Sequence, residues 1–129
     1  MGRLAILFLT LLAPAVAGAA SWTKVAAEKN ADVLADTSSI RKGKVTKMTH
    51  VRDYRTPAEW SGTKYSSEKY VVDYDCEGRR SGISDRRFYT GPMGTGSMFN
   101  YGATSGPPMK PVAAGTLDDA LWKLACSAR

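Results

Sequence analysis

Two pairs of arginines, Arg79-Arg80 and Arg86-Arg87, form the densest group of cationic side chains in the chain. Arginine can hold a sulfate, phosphate or carboxylate through two parallel hydrogen bonds, so these residues are a candidate patch for an anionic partner. We predict that the two pairs flank a hairpin turn and could meet across it, although strand alternation places one arginine of each pair on each face. The alternative is a solvated hairpin tip whose arginines pair with nearby carboxylates.

The other residues that could do chemistry form weaker patterns. His50 is the only histidine, so a multi-histidine metal site is excluded, and no Gly-x-Ser-x-Gly motif accompanies it. Asp73, Asp75 and Glu77 alternate along one predicted strand face and could bind a divalent cation, but solvated strand faces commonly look like this. We therefore assign no catalytic, cofactor-binding or metal-binding residue and expect a protein that is not an enzyme.

The chain has two cysteines, Cys76 and Cys126, without a Cys-x-x-Cys pair or a nearby histidine to complete a metal site. In an exported protein such a pair usually forms a structural disulfide. Two free thiols or an intermolecular bridge are the alternatives. We expect a Cys76–Cys126 disulfide.

The first twenty residues have the build of a secretory signal peptide. They carry one charge, at Arg3, followed by an apolar run and by small residues at Ala17, Gly18 and Ala19. This pattern predicts a signal peptide over residues 1–19, cleaved after Ala19, and a mature chain over 20–129. A membrane anchor is the alternative, but the run is shorter than the roughly 20 residues that a spanning helix needs.

The predicted cleavage site also bears on the location of the mature protein. A lipoprotein signal would place a cysteine directly after the cleavage point, and here the following residues are Ala20 and Ser21. We therefore expect a soluble periplasmic or secreted protein that is not a lipoprotein and has no membrane span.

Charge and length limit the function further. The 129 residues include 18 lysines and arginines against 12 acidic residues, a net charge of +6, and removal of the signal peptide would take only Arg3 from that excess. A mild basic excess favours acidic partners. We expect a protein or acidic glycan partner, no nucleic acid and no cofactor, and we leave the oligomeric state open. The mature length suits one domain.

The elements that must position these residues follow from hydrophobic periodicity and turn signals. We expect a helical turn or tight loop near Asp36–Ile40, a loop over Arg55–Thr63 and extended coil over Gly102–Gly115. The six predicted strands are 21–27, 31–36, 45–54, 65–76, 83–90 and 98–101. The fold class expected is α+β, an antiparallel sheet of about six strands with a C-terminal α-helix tied to the sheet by one disulfide.

The C-terminal helix begins with a capping signal at Thr116. Leu117, Leu121 and Leu124 form an apolar stripe after it, as expected for a helix with one buried face. Cys126 falls outside that stripe, on the side of Trp122. Either the last turn unwinds to present the cysteine, or the helix lies in a groove with two sides covered.

Short runs spread along the chain carry a resemblance to a known family. They are the opening Trp22, Ala-Asp-Thr-Ser-Ser-Ile at 35–40, Val-Arg-Asp-Tyr at 51–54, Tyr-Ser-Ser-Glu-Lys at 65–69, Asp-Tyr-Asp-Cys-Glu-Gly-Arg-Arg at 73–80, and the closing helix with Cys126. Through them the chain resembles the surface-adhesin protein E family of Gram-negative bacteria. The resemblance implies the same sheet-and-helix fold and a non-enzymatic binding role.

The namesake of that family is a surface lipoprotein that engages host matrix proteins such as vitronectin and laminin. This chain departs from it because it lacks a lipid-acceptor cysteine, which puts surface display in doubt. The family has no short ligand-contact motif that we can transfer, so the resemblance assigns no binding residue. A small periplasmic enzyme inhibitor or a cell-envelope accessory protein is the alternative function.

Overall fold

A computed structural model describes residues 19–127, and the predicted signal peptide lies almost wholly outside them. The strands are β1 (Trp22–Ala27), β2 (Ala31–Arg41), β3 (Thr46–Trp60), β4 (Thr63–Asp75), β5 (Arg80–Tyr89), β6 (Met98–Ala103) and β7 (Lys110–Pro111). A single turn of 3-10 helix at Pro92–Gly94 precedes β6, and the helix α1 spans Leu117–Ser127.

The sheet is an antiparallel meander. Strands β1 to β6 pair in the order of the sequence, and the short β7 pairs with the beginning of β5. Each connection from β1 to β6 therefore joins neighbouring strands, which is the arrangement that short turns allow. The expected α+β fold class, with one C-terminal helix tied to the sheet by the Cys76–Cys126 disulfide, is confirmed.

The predicted loop over Arg55–Thr63 is wrong, because β3 and β4 form one long hairpin that turns at Ser61 and Gly62. These two residues have φ angles of 47° and 80°, as a two-residue hairpin turn requires. Pro57 lies within the register shift between Asp53 and Ala58. The strand can contain a proline there because the backbone ladder is already interrupted.

The predicted helical turn or tight loop near Asp36–Ile40 is also wrong. Strand β2 continues through this segment, with a register shift against β3 between Asp36 and Arg41. Asp36 accepts hydrogen bonds from the backbone amides of Ser21 and Ser38, at 2.9 and 3.0 Å. The capping side chains that suggested a helix therefore stabilise an irregular stretch of strand.

Helix α1 packs across one face of the sheet and closes the core. Its cap is as predicted, since the Asp119 amide donates to Thr116 Oγ1 at 3.2 Å. The helix continues through Cys126 without unwinding, so it lies with two sides engaged. Leu121 and Ala125 are buried in the core cluster, while the Trp122 indole N–H donates to the Asp75 carbonyl at 3.1 Å.

The proline-containing segment before the helix is mostly extended coil, as predicted. It differs in two places: β6 reaches Ala103, and Lys110–Pro111 pairs with Arg80–Ser81. Val112 follows this short strand, and its amide donates to the Arg79 carbonyl at 2.9 Å. No helix within residues 19–127 has the length and apolar character needed to cross a membrane.

Candidate functional site

The four arginines of the predicted patch do not meet across a turn. The turn lies before Arg80, and β5 then runs without a break from Arg80 to Tyr89. The two pairs are therefore separated along one strand by about 23 Å, seven residues at about 3.3 Å each. The expectation that they flank a hairpin turn is wrong, because Ser81-Gly82 continues as strand.

Arg79 is tied into the fold. Its guanidinium forms an ion pair with Asp119 at 2.8 Å and lies 4.4 Å from the centre of the Trp122 ring. The Gly115 amide, with help from Arg79, lowers the pKa of Asp119 to about 2. Arg79 therefore joins the β4–β5 turn to the first turn of helix α1.

Arg79 and Arg80 offer a matched test of this structural role. We expect Arg79→Ser to lower the thermal unfolding midpoint by several degrees, because it removes both the stack on Trp122 and one of the two cations that pair with the buried Asp119 carboxylate, Lys123 being the other. Arg80→Ser changes the same charge at an exposed site and should leave the midpoint nearly unchanged. Thermal unfolding followed by circular dichroism compares the two, and equal midpoints would show that Arg79 does not support the helix.

Arg86 and Arg87 lie on opposite faces of β5, as alternation predicts. Arg86 stacks 4.7 Å from the Phe88 ring and pairs with Glu68 at 3.4 Å. On the other face, Arg87 pairs with Asp85 at 3.0 Å and lies 4.7 Å from the Tyr101 ring. Three of the four arginines thus hold a carboxylate of the same chain.

Of the three carboxylates predicted to alternate along one strand face, Asp73 and Asp75 lie in β4 and make contacts within the fold, whereas Glu77 lies in the turn after the strand. Asp73 is buried and pairs with Lys47 at 2.6 Å, and Asp75 accepts the amide of Gly78 at 2.9 Å. In the described part of the chain, no three histidine, cysteine or acidic residues stand close enough together to hold a metal ion.

A cleft of about 710 Å³ opens on the helix-bearing face of the sheet. Its floor includes His50 and Ile83, helix α1 contributes Leu117, and the proline segment contributes Pro108. Sequence reasoning missed this cleft, since its walls come from β3, β4, β5, the proline segment and the helix. The sequence analysis assigned no functional role to His50.

His50 is buried in the floor of the cleft, with 9% of its surface exposed. Its ring stacks on that of Tyr70, with centroids 4.8 Å apart, and its Nδ1 atom has no hydrogen-bond partner within residues 19–127. Burial, with a smaller contribution from the Arg52 charge, lowers the pKa of His50 to about 4. The imidazole is therefore neutral at pH 7.

A buried carboxylate, Glu68, lies beside the cleft. Its side chain is 2% exposed, accepts a hydrogen bond from the Tyr70 hydroxyl and pairs with Arg86. Sequence reasoning missed Glu68, although alternation puts it on the same face as the apolar Tyr70 and Val72. A charged residue on an apolar strand face is the signal that could have identified it.

Five exposed cations lie together at one end of the sheet, where β2, β4 and β7 end and β3 and β5 begin. We call them the basic rim: Arg41, Lys42, Lys44, Arg80 and Lys110. Within residues 19–127, none of the five lies at ion-pair distance from a carboxylate. Asp75 and Glu77 lie at the same end, and so do Asp118 and Asp119, which contact Ser81 and Arg79.

The family model described as surface-adhesin protein E matches residues 22–127. No protein of curated function matches the chain significantly.

Proposed function

The chain belongs to the surface-adhesin protein E family, and from that premise we propose that it is an exported, non-enzymatic binding protein whose partner is a macromolecule, a host matrix protein or an acidic glycan. The mature form would be one domain over residues 20–129, released after removal of residues 1–19. The Cys76–Cys126 disulfide supports export, because such bonds persist in oxidising compartments.

The basic rim is the observation that supports an acidic binding partner. Eight of the sixteen lysines and arginines in residues 19–127 form an ion pair with a carboxylate, as Arg79, Arg86 and Arg87 do, and their fields are largely cancelled. The rim instead combines five exposed cations with three nearby carboxylates that form no ion pair within residues 19–127, Asp75, Glu77 and Asp118. A surface with a net positive field attracts sulfated or carboxylated chains.

This proposal reduces the predicted four-arginine patch to one main contact residue. Arg80 belongs to the basic rim, whereas Arg79 supports helix α1. Arg86 and Arg87 stay accessible at the far end of β5, with 48% and 38% of their side chains exposed. They remain a predicted secondary contact for a long acidic chain that also occupies the rim.

We expect Lys42→Ser/Arg80→Ser to weaken binding to heparin by about fivefold at 0.1 M salt, from roughly 0.5 kcal/mol for each exposed ionic contact. The slope of log affinity against log salt should also become shallower, because fewer counterions are released on binding. Heparin-column elution and titration at several salt concentrations measure both effects.

The matched control is Lys29→Ser/Lys64→Ser, which removes two exposed lysines at the opposite end of the sheet. If binding depends on the rim, the control should keep most of the parent affinity. Equal losses in the two variants would mean that net charge alone drives the interaction. Failure of the parent protein to bind either heparin or acidic matrix proteins would reject the proposed partner class.

A further inference from the structure

The cleft beside helix α1 extends along the strands of the sheet. Ser81 lines one end of the cleft and Arg52 lines the other. Ser81 is in register with Tyr74 of β4, which is in register with Thr46 of β3. These rows are six residues apart on β3, so the cleft is about 20 Å long at 3.3 Å per residue. Its volume of about 710 Å³ lies within the range of small-molecule sites.

The middle of the cleft is apolar and open. Ile83 is 49% exposed although it lies in an inner strand, and Val72 beside it belongs to the core. Pro107, Leu117 and Leu121 complete the walls. Covering exposed apolar surface of this kind with an apolar group is energetically favourable.

The polar side chains toward the Ser81 end of the cleft are already hydrogen-bonded. The Ser81 hydroxyl donates to Asp118 at 2.7 Å, and the Thr116 hydroxyl donates to the Ala113 carbonyl at 2.7 Å. A peptide in extended conformation would need backbone partners along its length. A hydrocarbon chain needs none, so the middle of the cleft favours an alkyl chain.

One end of the cleft has polar atoms without partners. Arg52 Nε and His50 Nδ1 are buried and have no hydrogen-bond partner within residues 19–127. Glu28 engages a different nitrogen of Arg52, Nη2, at 3.0 Å. Unsatisfied buried donors are uncommon in folded proteins, and a guanidinium beside a neutral imidazole suits a carboxylate.

We propose that this cleft binds a long-chain carboxylate, with the alkyl chain between Ile83 and helix α1 and the carboxylate at Arg52 and His50. Asp118 does not oppose this placement, because it lies toward the other end of the cleft and accepts the Ser81 hydroxyl. Glu68 is in register with Arg52, but it pairs with Arg86 at 3.4 Å and accepts the Tyr70 hydroxyl, so its charge is balanced by a different cation. The carboxylate end of this site is separate from the basic rim, since Arg52 is not part of the rim, whereas Lys110 of the rim lines the cleft at its Ser81 end.

The test is calorimetric titration of the full mature protein with octanoate, dodecanoate and hexadecanoate, each below its micelle-forming concentration. We expect one ligand per chain and an affinity that rises about fourfold for each methylene group that enters the cleft. Arg52→Met should weaken hexadecanoate binding at least about tenfold. The uncharged methyl ester should bind the parent and Arg52→Met equally.

Ile83→Trp should abolish binding by filling the floor of the cleft. Met98→Trp is its matched control, because Met98 is 45% exposed and lies in β6, away from the cleft. Unfolding midpoints establish whether both variants are folded. If Ile83→Trp does not fold, the comparison of hexadecanoate and its methyl ester on Arg52→Met still tests the site. Absence of saturable binding, or binding unaffected by both Ile83→Trp and Arg52→Met, would overturn the proposal.

Discussion

Reduction of the Cys76–Cys126 disulfide is expected to lower the free energy of unfolding by about 4 kcal/mol, a large part of the stability of a domain of this size. The bond closes a separation of 50 residues, and its Cα atoms lie 5.6 Å apart. Most of the loss comes from the greater freedom of the unfolded chain when this long loop is open.

Urea unfolding with and without a reducing agent measures this effect, with Cys76→Ser/Cys126→Ser as the comparison. The double variant should have the stability of the reduced parent and should not respond to the reducing agent. Contacts such as Arg79 with Asp119 should still hold the helix against the sheet under mild conditions. An unchanged unfolding midpoint on complete reduction would contradict the stabilising role of the bond.

The second large effect expected is a loss of stability as the pH falls from about 6.5 to 4. Burial lowers the pKa of His50 to about 4 in the folded protein, against 6.5 in the unfolded chain. Between these values the unfolded chain binds a proton that the folded protein does not, so acid favours unfolding. The full difference corresponds to about 3 kcal/mol at 1.36 kcal/mol per pKa unit.

His50→Phe keeps a ring against Tyr70 but cannot be protonated, so its stability should change much less over this interval. Free energies of unfolding at pH 7, 5.5 and 4.5, obtained with urea, give the comparison. Asp36 and Asp119 have lowered pKa values, so their stabilising contributions are lost as the pH falls below about 4, outside this window. The same slope in parent and His50→Phe would show that His50 is not responsible.

Much of the fold was predictable because its signals are local. The alternation of Tyr70, Val72 and Tyr74 predicts a strand with one buried face, and all three are buried there. Thr116 predicts the start of the helix through the bond that its hydroxyl makes three residues later. The cysteine pair predicts the disulfide, because two cysteines allow one intramolecular bond.

The errors in the fold occurred where turn-forming residues lie inside strands. Asp36 and Pro57 both suggest an interruption, yet β2 and β3 continue past them with register shifts. Pairing on both sides of such a residue can retain the strand when the residue itself lies in a bulge. The stabilisation that keeps the strand intact comes from pairing with neighbouring strands, and a local sequence pattern holds no information about them.

The candidate sites show the same division. The sequence by itself determined which residues are charged, aromatic or able to form a disulfide, and which of them alternate on one strand. Only the tertiary structure decided that Arg79 supports a helix, that Arg80 joins Lys42 at a basic rim, and that His50 and Arg52 line a cleft. The physical reason is that contacts between distant segments depend on strand register and helix placement, so the same residue type becomes a structural ion pair or an accessible group according to the partner that the fold brings to it.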